Sequence, residues 1–470
     1  RDAEAAIALA EVHVRAARPV AAIRLVRAAL RSRPTDARAH GTLGAALQMT
    51  GDHEGALLSF ERATALEPGS ADAWCGLAQV HERMHRLDAA ARALDRAIAA
   101  APDSPAIALY RARVLRRAGE SERAAGILAE IVRSHPGSPH AAAALTETAH
   151  ALDAAGRTDE AAETFRRAKA IHLAAEDEPD RNPLDAALPS IRLLHAMDAD
   201  RAARWRESAP GDAGAGHAFL VGFPRSGTTL LEQVLAAHPR VRTTDESDLI
   251  AALAGAIHAR RGPGGTPDIR TLDALSEADV RDLATAYRRA AEERFGPWRT
   301  DQILLDKMPL NSVSLPEIAR VFPRSRVLFA LRDPRDVVLS CYMQLGGPTP
   351  NARFYLTVER IARFYAVVLE GWLAFREHAP VPWLEVRYED VVDDLEAQAR
   401  RVLGFLGLPW DARVLSFPGA GRLVASPTYE RVAAGVDRRA VGRWRRYPDL
   451  MAEALPILAP LVERLGYQRE

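Results

Sequence analysis

Prolines recur every 34 residues in the first third of the chain, at positions 34, 68, 102 and 136. An alanine stands twelve residues before each of these prolines, and a larger apolar residue stands eight residues before each. The alanines are Ala22, Ala56, Ala90 and Ala124, and the larger residues are Val26, Phe60, Leu94 and Leu128. A proline ends a helix, a small residue lets two helices approach closely, and a large residue fills the space between them. The period therefore predicts stacked helical hairpins, since a single hairpin cannot bury its own apolar face.

This pattern resembles the tetratricopeptide repeat, with four units over residues 3–136 and a fifth, shifted by three residues, that contains Gly156 and Phe165. An alanine-rich helical bundle is the alternative, but it does not explain the register of the prolines. The resemblance implies an α solenoid over residues 1–172 whose concave surface binds a peptide or a partner protein. The charged faces of such solenoids can equally be solvated, so no binding residue is predicted. Because Arg1 already lies inside a repeat, we expect the natural chain to start before it.

The composition limits the classes of function. Lys and Arg number 62, as do Asp and Glu, so the net charge is zero, and a non-specific nucleic-acid binder would need excess positive charge. No apolar run approaches the ~18–20 residues that span a bilayer. The two cysteines, Cys75 and Cys341, are too few for a disulfide scaffold and suit a reducing compartment, and the histidines lack metal-ligand spacing. We therefore predict a cytoplasmic protein without a metal, a nucleic-acid partner or a membrane span.

The sequence pattern changes after a stretch rich in Pro, Gly and Asp, residues 173–216, which predicts a linker. Short apolar runs follow, separated by helical segments: AFLVGF from residue 218, ILLDK at 303–307, RVLFALR at 326–332 and WLEVRYED at 383–390. This alternation predicts an α/β domain over residues 217–470, with a mostly parallel sheet covered by helices on both faces. Ligands of such sheets bind beyond the carboxyl ends of the strands, so the residues after each run are the candidates for a site.

The turn after the first run has the glycine spacing of a phosphate-binding loop, G-x-x-x-x-G-K-[ST], between a strand and a helix. Backbone N–H groups in such a loop converge on an anion. Thr228 stands where a nucleotide triphosphatase has lysine, Arg225 comes earlier in the loop, and Arg332 follows another strand. We find no acidic motif that would hold the Mg²⁺ required by a triphosphate. The loop therefore suits a 5′-phosphosulfate handled without metal, and an ordinary glycine-rich turn is the structural alternative.

Two stretches, FLVGFPRSGTTLLEQVLAAHP and RVLFALRDPRDVVLS, together resemble the sulfotransferases that use 3′-phosphoadenosine 5′-phosphosulfate (PAPS). The detail is similar to the tyrosylprotein sulfotransferases and their bacterial repeat-linked relatives. The resemblance implies that the 5′-phosphosulfate is bound, mostly by backbone amides, at Arg225, Ser226, Gly227, Thr228 and Thr229. It also implies that Arg332 and Ser340 bind the 3′-phosphate, which suits the bidentate geometry of a guanidinium. Arg335 is expected to be a structural ion-pair partner.

Sulfuryl transfer to a hydroxyl needs a base, cations on the departing oxygens and a fixed line of attack. The resemblance implies that Glu246, 21 residues after Arg225, is the catalytic base. Asp245 or Asp248 could share that role, and a solvated acidic helix start is the structural alternative. The resemblance further implies that Lys307 contacts the bridging oxygen and the sulfonate, although a lone lysine at a strand end can also be a surface residue.

Two further regions resemble parts of the family's site. Tyr388 in RYED corresponds to a residue near the nucleotide, and a core tyrosine is the alternative. The stretch PTYERVAAGVDRRAVGRWRRY resembles the family's closing loop. This implies a catalytic hydroxyl at Thr428, with Ser426 as the rival, and a cofactor-binding cation at Arg443. Trp444 is expected to be a packing residue.

We therefore predict a PAPS-dependent, metal-free sulfotransferase whose repeat domain recruits the acceptor or a partner. Protein tyrosine is the acceptor favoured by resemblance, and a carbohydrate, a lipid or a small phenol stays open because loops such as 255–300 and 343–360 would form the acceptor pocket. A P-loop kinase is the second hypothesis; Thr228 in place of lysine counts against it, and Mg²⁺-independent activity would decide. A non-catalytic repeat scaffold is the third, and the presence of Glu246, Lys307, Arg225 and Arg332 argues against it.

Overall fold

A computed structural model describes residues 2–16, 18–176, 183–208, 214, 216–244, 246–261, 266–344, 352–419 and 438–468. The chain forms two compact units, residues 1–176 and residues 177–470. The predicted domain boundaries after residues 172 and 216 stay a prediction.

The first unit consists of paired helices that repeat with the period of the prolines. Helices α1 to α10 are Asp2–Arg15, Pro19–Ser32, Ala37–Met49, His53–Leu66, Ala71–Arg83, Leu87–Ala100, Pro105–Arg117, Ser121–Ser134, Pro139–Ala154 and Thr158–Ala174. The first helices of successive hairpins are preceded by capping residues, also 34 apart, whose side chains accept a backbone N–H three residues further on: Asp36, Ser70, Ser104 and Ser138. Each of the four recurring prolines lies two residues after the end of the second helix of a hairpin. These features confirm the predicted α solenoid.

The spacing that recurs inside each repeat has a packing cause. The alanines Ala22, Ala56 and Ala90 are 0% exposed and Ala124 is 2% exposed, so each lies where two helices touch. Phe60 on α4 fills the space beside two glycines, Gly44 on α3 and Gly76 on α5, where an added Cβ would meet its ring. The fifth hairpin is shifted by three residues because α9 has 16 residues where α3, α5 and α7 have 13.

The second unit contains a five-stranded parallel sheet, which confirms the predicted α/β class. Strands β1 to β5 are His217–Gly222, Val241–Thr243, Ile303–Lys307, Arg326–Leu331 and Trp383–Arg387, in the order β2-β3-β1-β4-β5. Sequence analysis missed β2, because its three residues are too short to show a pattern. The central strand β1 pairs Leu220 with Lys307 of β3 and with Leu328 of β4. The carboxyl ends of β1, β3 and β4 therefore lie side by side.

Helices and short 3₁₀ segments connect and cover the strands. Helices α11 to α23 are Leu188–His195, Ala199–Glu207, Thr228–Ala236, Leu249–His258, Ile269–Asp273, Glu277–Phe295, Leu315–Val321, Pro334–Tyr342, Val358–Glu377, Tyr388–Asp393, Leu395–Leu406, Pro448–Met451 and Leu455–Arg464. The 3₁₀ segments are Pro183–Ala186, Ala259–Arg261, Pro309–Ser314, Ala352–Tyr355, Ala412–Gly419, Arg438–Ala440 and Arg443–Arg446. The stretch predicted as a linker, residues 173–216, thus contains α11 and α12 of the second unit.

Both faces of the sheet are buried. On one face, Ala218 and Leu220 of β1 pack in a cluster with residues of α13 and α21. On the other, Phe219 contacts the rings of Tyr287 on α16 and Phe322 after α17. Along the same face, Phe329 of β4 stacks on Trp372 of α19, with ring centroids 4.0 Å apart. Adjacent residues of β1 pack on opposite faces of the sheet because side chains alternate along a strand.

Candidate active site

The loop between β1 and α13, residues 222–229, depends on two glycines. Gly227 has φ 98° and forms the N-cap of α13, and a Cβ there would lie 2.8 Å from Cδ2 of Tyr388. A Cβ at Gly222 would lie 2.6 Å from the carbonyl oxygen of Ala330. Ser226 is 2% exposed, and its hydroxyl donates to the carbonyl of Phe223 at 2.6 Å. The loop is therefore pressed against β4 and Tyr388, with Thr228 and Thr229 opening the helix.

Arg225 connects this loop to the element after β4. It is one of two non-glycine residues with positive φ in the described part of the chain, at 71°, a conformation that costs about 1–2 kcal/mol. Its Nε donates to Oγ of Ser340 on α18 at 3.1 Å, and its carbonyl accepts from Nη1 of Arg332 at 3.2 Å. Three residues predicted to bind the two ends of PAPS are thus in direct contact. Backbone strain of this kind is concentrated at functional sites.

Arg332 lies at the centre of the arrangement and is 7% exposed. Its Nη2 donates to the carbonyl of Ala440, and its guanidinium carbon lies 4.8 Å from the ring centroid of Tyr388. Its Nε is buried and has no hydrogen-bond partner among the described residues. Since buried donors are nearly always paired, this orphaned N–H fits an anionic oxygen supplied by a ligand.

Asp336 holds the segment near the C-terminus against this site. Its two carboxylate oxygens accept from the backbone N–H groups of Gly442, at 2.7 Å, and Trp444, at 3.0 Å, so Arg443 between them is placed at the end of β4. Arg443 is 7% exposed. Burial raises the pKa of Asp336, and the charge of Arg332, 3.9 Å away, opposes that rise.

Arg335 and Trp444 have the structural roles expected for them. The Arg335 guanidinium pairs with Asp333 through two contacts, at 2.9 and 2.7 Å, and lies 4.2 Å from the Trp444 ring centroid. Asp333 is fixed in turn, because its N–H donates to Glu389 at 2.9 Å. Burial raises the pKa of the Glu389 carboxyl, against the hydrogen bonds it accepts.

Lys307, at the end of β3, is 0% exposed and contacts two carboxylates. Its Nζ lies 3.0 Å from Oε1 of Glu246 and 3.1 Å from Oε2 of Glu232 on α13. The Glu232 side chain is 1% exposed, whereas that of Glu246 is 40% exposed. The Glu232 carboxylate therefore holds the ammonium from the buried side, while the Glu246 carboxylate is open to solvent. The surface alternative for Lys307 is wrong.

The other acidic candidates have different outcomes. Asp248 pairs with Arg294 at 2.5 Å, and its side chain is 80% exposed. Its ion pair is therefore with Arg294 and not with Lys307. Asp245, Ser426 and Thr428 lie outside the described residues.

The structure adds residues that the sequence analysis missed. Glu232 belongs to a helix that the sequence marks only as amphipathic, and nothing in the spacing indicates that it reaches Lys307. Tyr355 lies close enough to Glu246 and Cys341 to interact electrostatically, and burial raises the pKa of its phenol. Asp306, beside Lys307 on β3, accepts from the Tyr287 hydroxyl at 2.5 Å, and complete burial raises its pKa to about 6.

Comparison with known proteins finds a family match in each unit. Residues 218–412 match the profile of the sulfotransferase family, and residues 7–177 match the tetratricopeptide repeat in overlapping segments. The chain thus contains residues that match tetratricopeptide repeats, followed by residues that match the sulfotransferase family, and these matches confirm the resemblance seen in the sequence.

Individual proteins resemble the chain at moderate identity. The chain is 27% identical to protein-tyrosine sulfotransferase 1 of Danio rerio over 272 residues, which cover 53% of this chain and 71% of that protein. It is also 27% identical to an uncharacterised protein of Aquifex aeolicus over 51% of this chain but only 32% of that protein. Among solved structures, the crystal structure of MamA is 24% identical, with a TM-score of 0.31, over 33% of this chain and 90% of that one.

In the part of the chain that the structure describes, no group of three or more His, Cys, Asp or Glu side chains could hold a metal ion. Within that part, none of the helices combines the length and apolar character needed to cross a bilayer.

Proposed function

We propose that this chain transfers a sulfuryl group from PAPS to an acceptor hydroxyl. The observation that carries the proposal is the contact of Arg225 with both Ser340 and Arg332, beside a strand end where Lys307 pairs with Glu246. An anion loop, a second cation and a reachable carboxylate are the parts that such a transfer requires. The match to the sulfotransferase family supports the same reaction class.

The residues around the loop fit the two charged ends of PAPS. The backbone amides of residues 225–229 and the Arg225 side chain would hold the 5′-phosphosulfate, as the helix start and the left-handed Gly227 allow. Arg332 and Ser340 would hold the 3′-phosphate, and the unpaired Nε of Arg332 supplies a donor for it. When bound, PAPS provides an activated sulfuryl group whose bond to the phosphate oxygen breaks as the acceptor oxygen attacks.

Glu246 and Lys307 would perform the proton and charge steps. Glu246 takes the proton of the acceptor hydroxyl, since its side chain is exposed enough for a substrate to approach. Lys307 stabilises the negative charge that develops on the departing oxygen. Glu232 holds the Lys307 ammonium at 3.1 Å from the buried side and is a positioning residue.

The remaining assigned positions are proposed with the support available for each. Tyr388 packs against Gly227 and Arg332 and would lie beside the nucleotide. Arg443 would add a cation from the segment held by Asp336. Thr428 is proposed as a catalytic hydroxyl from the resemblance alone.

A protein tyrosine is the proposed acceptor, because the Danio rerio relative is named a protein-tyrosine sulfotransferase. The tetratricopeptide repeats would bind the acceptor protein or a partner that delivers it, since such solenoids commonly present a concave surface to a peptide. A cytoplasmic location stays a prediction.

The variant Glu246→Ala tests the proposed base. We expect turnover with labelled PAPS to fall by ~10²–10⁴, the range typical of a general base, while binding of adenosine 3′,5′-bisphosphate stays close to wild type. Asp248→Ala is the matched control, because it removes a nearby carboxylate that does not contact Lys307. Equal losses of turnover and nucleotide binding would assign Glu246 a structural role, and a large loss in Asp248→Ala would move the base to that residue.

The class of acceptor is tested with ³⁵S-labelled PAPS and a cell lysate. Label in protein that is recovered on tyrosine supports the proposed acceptor, whereas label in glycan or lipid contradicts it. A parallel reaction with a chelator should transfer label at the same rate, because no step in the proposal uses a metal.

A further inference from the structure

A cavity lies at the amino-terminal edge of the sheet, opposite to the edge that holds the candidate active site. It forms between the loops that precede β4 and β5, which are neighbours because Val327 pairs with Trp383 in the parallel register. Its volume is about 660 Å³, within the ~300–1,000 Å³ typical of small-molecule sites. The sulfotransferase reaction proposed above uses none of its residues.

Three arginines give this cavity its charge. Arg206 at the end of α12, Arg324 in the loop and Arg326 at the start of β4 all line it, and none of the lining residues in the described chain is acidic. Within that chain, no carboxylate lies within 4.0 Å of these three guanidiniums. Other arginines of this unit are paired, such as Arg363 with Glu359 at 2.9 Å and Arg400 with Glu396 at 2.7 Å.

This concentration of positive charge favours an anion. Like charges that share a concave surface repel one another, and the potential they create concentrates counter-ions of opposite sign. Guanidinium groups match the planar, bidentate geometry of phosphate, sulfate and carboxylate oxygens. The arginines come from two segments that are 118 residues apart between Arg206 and Arg324, so the fold creates the cluster.

The rest of the lining is apolar and rigid. Trp383 is 36% exposed, and Pro323, Pro380 and Pro382 form the wall beside it. Proline has no N–H to donate, so this wall offers contact area with few hydrogen bonds. An exposed tryptophan ring stacks well on another ring. A ligand that fills the cavity would therefore combine an anionic group with a flat, apolar one.

We propose that this cavity binds a small organic anion in which a phosphate or sulfate monoester is attached to an aromatic or heterocyclic ring. The oxyanion lies between Arg206 and Arg324, and the ring lies against Trp383. The site is separate from the candidate active site, because the strands of the sheet run between them.

Isothermal titration of the full chain with phenyl phosphate and phenyl sulfate tests this site, in the presence of saturating adenosine 3′,5′-bisphosphate to occupy the candidate active site. We expect at least one of the two esters to bind, and the comparison identifies the preferred oxyanion. Arg324→Ala and Arg206→Ala should each weaken binding by about 10-fold or more, since charge-assisted bonds are lost. Trp383→Leu should weaken binding of the phenyl ester but not that of inorganic phosphate.

Arg204→Ala is the matched control, because Arg204 is exposed on the same helix as Arg206 but does not line the cavity. It should leave binding unchanged. Arg324→Lys keeps the positive charge but loses the bidentate guanidinium, so we expect an affinity between those of wild type and Arg324→Ala. Such an intermediate affinity also shows that the site is folded in the variant. The proposal is overturned if neither ester binds, or if the control weakens binding as much as Arg324→Ala. Tighter binding of an acidic peptide than of either ester would also overturn it.

Discussion

At the scale of single residues, Arg225 shows how one position joins two parts of the site. Its left-handed backbone turns the carbonyl toward Nη1 of Arg332, while its side chain reaches Ser340 on the helix after β4. The strain at Arg225 is offset by these contacts and by the tight packing of Gly227 on Tyr388. The left-handed backbone of Arg225 and its contacts with Arg332 and Ser340 therefore depend on each other.

The same residues lead to a prediction for nucleotide binding. Arg332→Ala should weaken binding of adenosine 3′,5′-bisphosphate by about 10-fold or more, since a charge-assisted bond to phosphate contributes ~1.5–3 kcal/mol. Isothermal titration measures the change. Arg413→Ala, which removes an exposed ion pair with Asp411, is the control and should bind normally. Wild-type affinity in Arg332→Ala would exclude Arg332 from the nucleotide site.

Asp306 predicts a dependence of stability on pH. Burial raises its pKa from 3.8 to about 6, so between these values the folded chain keeps a proton that the unfolded chain has released. The free energy of unfolding therefore falls as pH rises from about 4 to 6, by about 2–3 kcal/mol from this residue. Asp306→Asn should lose less stability over that range.

Urea unfolding followed by tryptophan fluorescence measures this difference, because six of the seven tryptophans lie after residue 176. The free energy of unfolding of Asp306→Asn, measured relative to that of the wild type, should increase between pH 4 and pH 7. A difference that stays constant with pH would show that Asp306 is ionised in the folded chain throughout the range.

At the scale of elements, the repeats are held together by matched large and small residues. Phe60 on α4 contacts the backbone at Gly44 and Gly76, so two neighbouring first helices approach one ring. The capping residues before α3, α5, α7 and α9 set the start of each hairpin, and the glycines then set the distance between hairpins. A side chain at either glycine must displace the ring.

Gly76→Ala should destabilise the first unit by about 1–3 kcal/mol, the usual cost of overpacking a core. Gly41→Ala is the control, because it lies on α3 with no atom within 4 Å of the added Cβ and should stabilise the helix by roughly 0.5–1 kcal/mol. Thermal melting followed by far-ultraviolet circular dichroism compares the two. Equal stability of the two variants would contradict the packing of Phe60 described above.

At the scale of the whole molecule, each unit has its own buried core. The solenoid buries its alanines and Phe60, while the second unit buries both faces of its sheet. A unit with its own core can fold independently. Helices α11 and α12 belong to the second unit, so a fragment that keeps them should be more stable than one that starts at β1.

Residues 183–470 should therefore fold without the repeats and bind adenosine 3′,5′-bisphosphate with the affinity of the full chain. Near-ultraviolet circular dichroism and isothermal titration check these two outcomes. Transfer of label to a protein acceptor should fall in the fragment if the repeats recruit that acceptor. An unfolded fragment would show that the second unit needs the repeats for stability.

The sequence by itself determined the features that depend on local spacing. The 34-residue period fixed the solenoid, because helix breakers and small residues act within one hairpin, and the apolar runs identified strands β1, β3, β4 and β5. The order of motifs at strand ends pointed to Arg225, Lys307 and Arg332, since parallel strands bring their carboxyl ends to one edge. Glu246 was selected only through the resemblance to the sulfotransferases.

The tertiary structure decided what depends on contacts between distant segments. The salt bridge from Glu232 to Lys307, the anchoring of residues 442–444 by Asp336 and the arginine cluster at the opposite edge of the sheet all join residues that are far apart in sequence. Strand β2 was also identified only by its pairing with β3, because its three residues are too few to show an apolar pattern in the sequence. A single sequence records which side chains are present, whereas burial and distance, which set their charge interactions, arise only when the chain has folded.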